Sequence, residues 1–181
     1  MKKILLTAVA VFAFGFANAQ ENIIKANPLA VLGGTDLLSF EHKIGDNTSA
    51  LLGLGYGGFS IGGAKYTSMG VEAQYRYYFE EALKGFYAGG QIGYTSGKVT
   101  LDSFDLVGFS MVSTSSETKF TSTIVGGKGG YQWVWSSGFS LDLNFGLAYN
   151  SFSYKSSDED FANLKGSGVL PNFGFGLGYA F

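Results

Sequence analysis

Strict alternation between bulky apolar and small or charged side chains is the feature that most limits how this chain can fold. In Met69–Phe79 one parity carries Met69, Val71, Ala73, Tyr75, Tyr77 and Phe79, the other Gly70, Glu72, Gln74, Arg76 and Tyr78. In Phe139–Tyr149 Phe139, Leu141, Leu143, Phe145, Leu147 and Tyr149 alternate with Ser140, Asp142, Asn144, Gly146 and Ala148. Phe173, Phe175, Leu177, Tyr179 and Phe181 alternate with Gly174, Gly176, Gly178 and Ala180. A period of two belongs to a β-strand, whose successive side chains leave opposite faces. The reading extends to eight segments, 23–33, 36–44, 48–59, 67–79, 85–97, 119–135, 139–152 and 167–181, separated by turn residues. None shows a sustained 3.6-residue period, and no second domain or linker interrupts them.

The start of the chain stands apart. Met1-Lys2-Lys3 is basic, 4–16 is an apolar run too short to span a bilayer as a helix, and Ala17 and Ala19 are small residues at the positions of a cleavage site. This reads as a secretory signal peptide over 1–19, cut between Ala19 and Gln20, in preference to a simple membrane anchor. A lipid-anchored precursor would need a cysteine at the cut, and the chain has none. The mature domain is then 20–181, with ten basic against fourteen acidic side chains and a net charge of −4 with His42 neutral. The net charge predicts no basic field for nucleic acid or for an anionic membrane surface, and without cysteine there is no disulfide framework.

The asymmetry of the two parities decides which side faces what. Charged residues are only 14% of the chain, against about 25% in ordinary globular proteins. A soluble barrel would put the bulky parity inside and leave an outside mostly of glycine, alanine, serine and asparagine. Several dozen large side chains would also overfill eight strands. Inverting the barrel removes both conflicts: small residues fit a narrow lumen and the bulky parity meets lipid, where a closed barrel is the only tolerated sheet. The expected fold is therefore all-β, an eight-stranded antiparallel up-and-down transmembrane β-barrel in the outer membrane. Connections at the periplasmic side are short (45–47, 80–84, 136–137); those outside are longer (60–66, 98–118, 153–166), except a tight first turn at Gly34-Thr35. Aromatic girdles are expected from Tyr77, Phe79, Phe86, Trp133, Trp135, Phe139, Tyr179 and Phe181 on the periplasmic rim, and from Tyr56, Phe59, Tyr66, Tyr94, Tyr149 and Phe152 on the outer rim.

The closing Leu177-Gly178-Tyr179-Ala180-Phe181 resembles the C-terminal signature of outer-membrane barrels, which implies that Tyr179 and Phe181 are read by the barrel-assembly machinery. The mature chain resembles the small eight-stranded barrels of the outer-membrane protein A and X type. More narrowly, Asn22-Ile23-Ile24-Lys25-Ala26-Asn27-Pro28-Leu29 with Phe40-Glu41-His42-Lys43 resembles the opening hairpin of small, poorly characterised barrels of Bacteroidetes-like bacteria. The resemblance covers 22–181. It lacks the peptidoglycan-binding domain of outer-membrane protein A, so wall anchoring does not carry over.

Chemistry candidates are few. Alternation places Lys25, Glu41, Lys43, Glu72, Arg76, Lys128 and Asp142 inside, nearly neutral in sum. They could serve acid–base work or an ion path, but the favoured reading is a salt-bridged plug that relieves the cost of lone charges. His42, the only histidine, falls on the lipid-facing parity with Glu41 and Lys43 pointing away, which argues against a catalytic triad. One histidine and no cysteine also argue against a zinc or iron site. The run Asp158-Glu159-Asp160 could attract a divalent cation, but it lacks the spacing of a calcium loop and reads as a solvated tip. Gly53 to Gly58 mimics a nucleotide loop with no helix after it, so its glycines are lumen clearance. The stretch 98–118 either extends strands five and six as a stiff hairpin, the favoured form, or recruits partners by strand addition.

No catalytic residue, cofactor or metal is expected. The role expected is structural or surface-interacting, with outer-membrane lipid and an extracellular ligand at the loops as partners. A small pore and, less favoured, a lipid-modifying enzyme are the alternatives.

Overall fold

The computed structural model describes residues 20–31, 36–107, 110–156 and 164–181, with side chains described for all of these except 29, 31, 102–115 and 156. The expected leader with Ala19, the expected Gly34-Thr35 turn and the acidic run at 158–160 lie outside the described residues. Eight strands are seen: β1 (Asn22–Ala26), β2 (Leu38–Gly45), β3 (Thr48–Ile61), β4 (Ala64–Tyr78), β5 (Gly85–Val107), β6 (Ser110–Val134), β7 (Phe139–Ser156) and β8 (Lys165–Ala180). Each pairs antiparallel with its sequence neighbours, and β8 returns to β1 to close the barrel, Ile23 opposite Ala180 and Ala26 opposite Leu177. Closure covers the end that holds the termini; beyond Leu177 and Leu54, residues 165–176 of β8 and 55–61 of β3 pair on one side only among the described residues. The terminal Phe181 completes the seam: its carbonyl accepts from the amides of Glu21 and Asn22 at 3.1 and 3.0 Å, and its own amide donates to Asn22 O at 2.8 Å.

Alternation sorts the side chains inside out. Phe173 is 80% exposed and Leu54 65%, whereas Arg76 and Asp142 are 2% exposed and Glu41 0%. Large apolar side chains cover the outer wall, including Leu52, Val71, Tyr75, Ile92, Val125, Phe145 and Leu147. The described apolar core is small, with Ile23, Ala82, Leu83 and Ala180 buried together and Val134 against them at the end of the barrel that holds the termini. There the 80–84 connection is more than a short turn. It folds under the mouth, where Ala82 N donates to Asp46 O at 2.9 Å and Leu83 O accepts from Gln132 Nε2 at 2.6 Å. Leu83 adopts a φ of 72°, a strained value for a leucine that its buried, bonded setting holds in place.

Several strand boundaries differ from the sequence reading. The first segment, expected over 23–33, stops at Ala26 and passes into a 3-10 turn at Pro28–Val31, because Pro28 has no amide to offer the ladder. The connection to β2 is therefore long rather than tight. The expected 60–66 loop is instead a two-residue turn, Gly62 and Gly63 at φ 56° and 85°, the positive values that a tight hairpin requires and glycine supplies. The 98–118 stretch is the hairpin form: β5 and β6 stay in unbroken register from Gly85 opposite Gln132 to Val107 opposite Ser110. Their neighbours stop sooner, β4 at Ala64 opposite Leu101 and β7 at Ser156 opposite Thr118, so among the described residues the last part of the hairpin pairs only with itself.

The girdle at the end opposite the termini also needs correction. Tyr56, Tyr94 and Tyr149 stand outward and exposed, but Phe59, Tyr66 and Phe152 fall on the inward parity of their strands. Phe59 and Tyr66 stack at 5.2 Å and Tyr66 and Phe120 at 5.6 Å, and the run continues through Tyr154 to Phe152. Height along a strand put these rings at the rim, but an odd offset of three residues, Tyr56 to Phe59 or Tyr149 to Phe152, turns the side chain through the wall.

Candidate functional site: the charged lumen

Four charged side chains meet inside the barrel near the termini, each delivered by a different strand. Lys25 comes from β1, Glu41 from β2, Arg76 from β4 and Asp142 from β7. Lys25 Nζ lies 2.5 Å from Glu41 Oε2 and 2.7 Å from Asp142 Oδ2; Arg76 Nη1 lies 3.3 Å and 2.6 Å from the same two oxygens. Two cations thus share two carboxylates in a neutral quartet, all four side chains at most 3% exposed.

Neutral groups complete the bonding. Tyr78 OH and Ser49 Oγ donate to Glu41 Oε1 at 2.7 and 2.5 Å, and Tyr87 OH donates to Asp142 Oδ1 at 2.8 Å. The Arg76 guanidinium carbon lies 4.3 Å from the centre of the Tyr87 ring, a cation–π contact. Lys25 Nζ also donates to Gln132 Oε1. A second pair sits beside the quartet, Lys128 Nζ to Glu72 Oε1 at 2.9 Å. Gln74 joins the two, donating to Glu72 and accepting from Arg76 Nε at 2.9 Å. Buried charges are tolerable only when paired and bonded in this way.

Six of the seven charges assigned inward from the sequence are therefore brought together. Lys43 is not: it is half-buried at the mouth near the termini, beside a β-bulge at Lys43–Gly45, with no ion pair among the described residues. The sequence reading missed Ser49, Tyr87 and Gln132 as members. Their parity was the available sign, since Tyr87 shares a face with Gly89 and Gln132 with Lys128, but an uncharged residue on an inward parity names no partner.

Little room remains immediately around the quartet, although a larger space of about 920 Å³ adjoins Asn27, Asp36, Tyr87 and Asn144. The space bounded by Lys25, Asn27, Asp36, Gln74, Arg76 and Asp142 is about 20 Å³, near the minimum for one water. The β1–β2 connection closes it from the side, Asn27 Nδ2 donating to both Asp36 oxygens at 3.2 Å.

Toward the other end the lumen changes character. Ser68, Thr95 and Ser122 are buried with hydroxyls that bond no protein atom, as is the Gln91 amide nitrogen. Glycines 53, 57, 93 and 146 share their inward parity and are buried with them. Above lies the inward aromatic run from Phe59 to Phe152. At Gly97 an added Cβ would fall 2.5 Å from Thr67 O and 2.6 Å from the Phe120 ring, so the ring lies directly on the glycine.

His42 stands outward, its Nδ1 2.8 Å from Asn22 Oδ1, away from every buried carboxylate. Among the described residues no three His, Asp or Glu side chains gather as a metal site would need. What the lumen arrangement does chemically is neutralise itself.

No curated protein and no solved structure matches the chain. The family model described as "Protein of unknown function (DUF3575)" matches residues 4–166. With that span inside the match, the chain belongs to the DUF3575 family.

Proposed function

We propose that this protein is an integral outer-membrane β-barrel of the small eight-stranded kind, exported by a cleaved leader, with a plugged lumen and a structural or surface-interaction role rather than an enzymatic one. The observation that carries the reading is the inverted burial, with phenylalanines and leucines on the outside and arginine, lysine and carboxylates within. In water such an outside would be a very large exposed apolar surface, which monomeric soluble proteins avoid. In lipid it is the low-energy arrangement.

The dimensions agree with that solvent. On β7 the outward apolar run extends from Phe139 to Tyr149, a run that, at about 3.3 Å per step and a tilt near 40°, gives a band about 25 Å tall. Tyr77, Phe79, Phe86, Trp133, Trp135, Phe139 and Tyr179 are exposed at one end of it, and Tyr56, Tyr94 and Tyr149 at the other. The β5–β6 hairpin would then project from the outer leaflet and supply the surface for interaction.

Membrane fractionation with a heat-modifiable gel band tests the reading. The protein is expected in the outer-membrane fraction, migrating as a compact band that shifts on boiling. Recovery in the soluble fraction after lysis would refute it. Planar bilayers are expected to show no discrete conductance, and cells overexpressing the protein are expected to keep unaltered lipid A.

A further inference from the structure

Five lysines point outward near the end of the barrel opposite the termini: Lys65 on β4, Lys98 on β5, Lys119 on β6, Lys155 on β7 and Lys165 on β8. All are exposed, and each shares the parity of its strand's outward apolar residues, as Lys98 does with Tyr94 and Lys155 with Tyr149. Three form one cross-strand row, Lys98 opposite Lys119 and Lys119 opposite Lys155. Like charges directly opposite destabilise a sheet. One carboxylate, Glu117, serves two of them, at 3.1 Å from Lys98 Nζ and 3.6 Å from Lys119 Nζ. Lys155 and Lys165 have no ion pair among the described residues. The rim at the termini has the reverse sign, with Glu21, Asp46, Glu80 and Glu81 exposed and Lys84 the exposed cation beside them.

Lys98 and Lys119 overhang an outer crevice of about 250 Å³, also lined by Tyr56, Thr67, Met69 and Ser96. Two ammonium groups and two hydroxyls above an aromatic and a thioether suit an anionic group carried on an apolar tail. The height fits as well. Lys98 is four residues beyond Tyr94 and Lys65 four before Met69, which places the row about 10 Å past the apolar band at the strand rise and tilt given above. A headgroup layer is about 5–8 Å thick on each side of a bilayer, and lysine stems bend back to reach it.

We propose that Lys98, Lys119 and Lys155, flanked by Lys65 and Lys165, form a collar that binds phosphorylated headgroups of the lipids surrounding the barrel, most tightly at the Lys98–Lys119 crevice. The collar rests on the membrane reading above. Each lysine in such a field is expected to add about a fivefold preference for the anionic lipid.

The test places the full barrel in nanodiscs of phosphatidylcholine doped with phosphatidic acid, then measures the lipid retained on extraction by native mass spectrometry. The wild-type chain is expected to retain phosphatidic acid in clear excess over its share. The triple variant Lys98→Gln, Lys119→Gln, Lys155→Gln should lose that excess by more than tenfold, while Lys84→Gln at the opposite rim keeps it. A heat-shifted band from each variant shows that it is folded and inserted. An inserted wild-type barrel with no excess, or a triple variant that keeps it, overturns the collar alone. A barrel that enters no nanodisc overturns the membrane reading and the collar with it. An excess that emerges only in Asp158→Asn, Glu159→Gln, Asp160→Asn would mean that the chain's own acids occupy the lysines, and it too overturns the proposal.

Discussion

The two ends of the lumen are built by the same strands yet filled on opposite principles. Near the termini, long charged and aromatic side chains reach across the cylinder, and Lys25, Glu41, Arg76 and Asp142 are bonded to one another and to Ser49, Tyr78, Tyr87 and Gln132. Toward the far end a layer rich in glycine, serine and threonine lies inward, below the rings that run from Phe59 to Phe152, and several of its polar atoms bond nothing in the protein. Stability should therefore be concentrated in the charged layer, while the upper layer tolerates loss of a polar group and resists added bulk.

Replacing Arg76 with alanine attacks the contrast hardest. It strips two buried carboxylates of their shared guanidinium, and Lys25 alone must balance both. A loss of about 3–5 kcal/mol is expected for breaking a buried network from one side, read from urea unfolding in lipid vesicles. A loss below about 1 kcal/mol would mean that the quartet is not what holds this end together.

Next in size is a change in the upper layer that adds volume. At Gly97→Ala the new methyl meets Thr67 O and the Phe120 ring, and overpacking of this kind costs about 1–3 kcal/mol. Full stability in this variant would show a looser inner aromatic run than the ring spacings indicate.

Much of this was legible from parity. Arg76 and Asp142 could be placed inside because they sit within long, unbroken alternations, where one register satisfies the whole strand. The number of strands and the closure followed from the same pattern. The inward rings of Phe59, Tyr66 and Phe152 were missed because rim position was taken from height alone. The Gly62-Gly63 turn was missed because polar residues on both sides looked like loop rather than strand. Lys43 was counted into the network since its parity is inward, but parity does not report that a β-bulge at the mouth leaves it in reach of solvent. Partners such as Tyr87 and Gln132 depend on distances across the cylinder, which no local pattern encodes.

Lys128→Met sharpens the boundary between the layers. It removes the cation from Glu72, but that pair is less deeply buried than the quartet and Gln74 still donates to Glu72. A cost of about 1–2 kcal/mol is expected from loss of a charged hydrogen bond. An effect as large as that of Arg76→Ala would merge the two clusters into one energetic unit.

Ser122→Ala is the smallest change, expected within about 0.5 kcal/mol of wild type because its hydroxyl bonds no protein group. A penalty above about 1.5 kcal/mol in the same unfolding experiment would show that the upper layer is as tightly bonded as the lower.

The direction in which adjacent residues point is the most direct test of the whole account. The chain has no cysteine, so Phe145→Cys and Asn144→Cys can each carry a single fluorescent label in vesicles. Quenching by brominated lipid tails is predicted to be strong for the label at 145 and weak for the label at 144, one residue away on the same strand. Equal quenching at both positions, or stronger quenching at 144, would contradict a barrel that turns its apolar face to lipid.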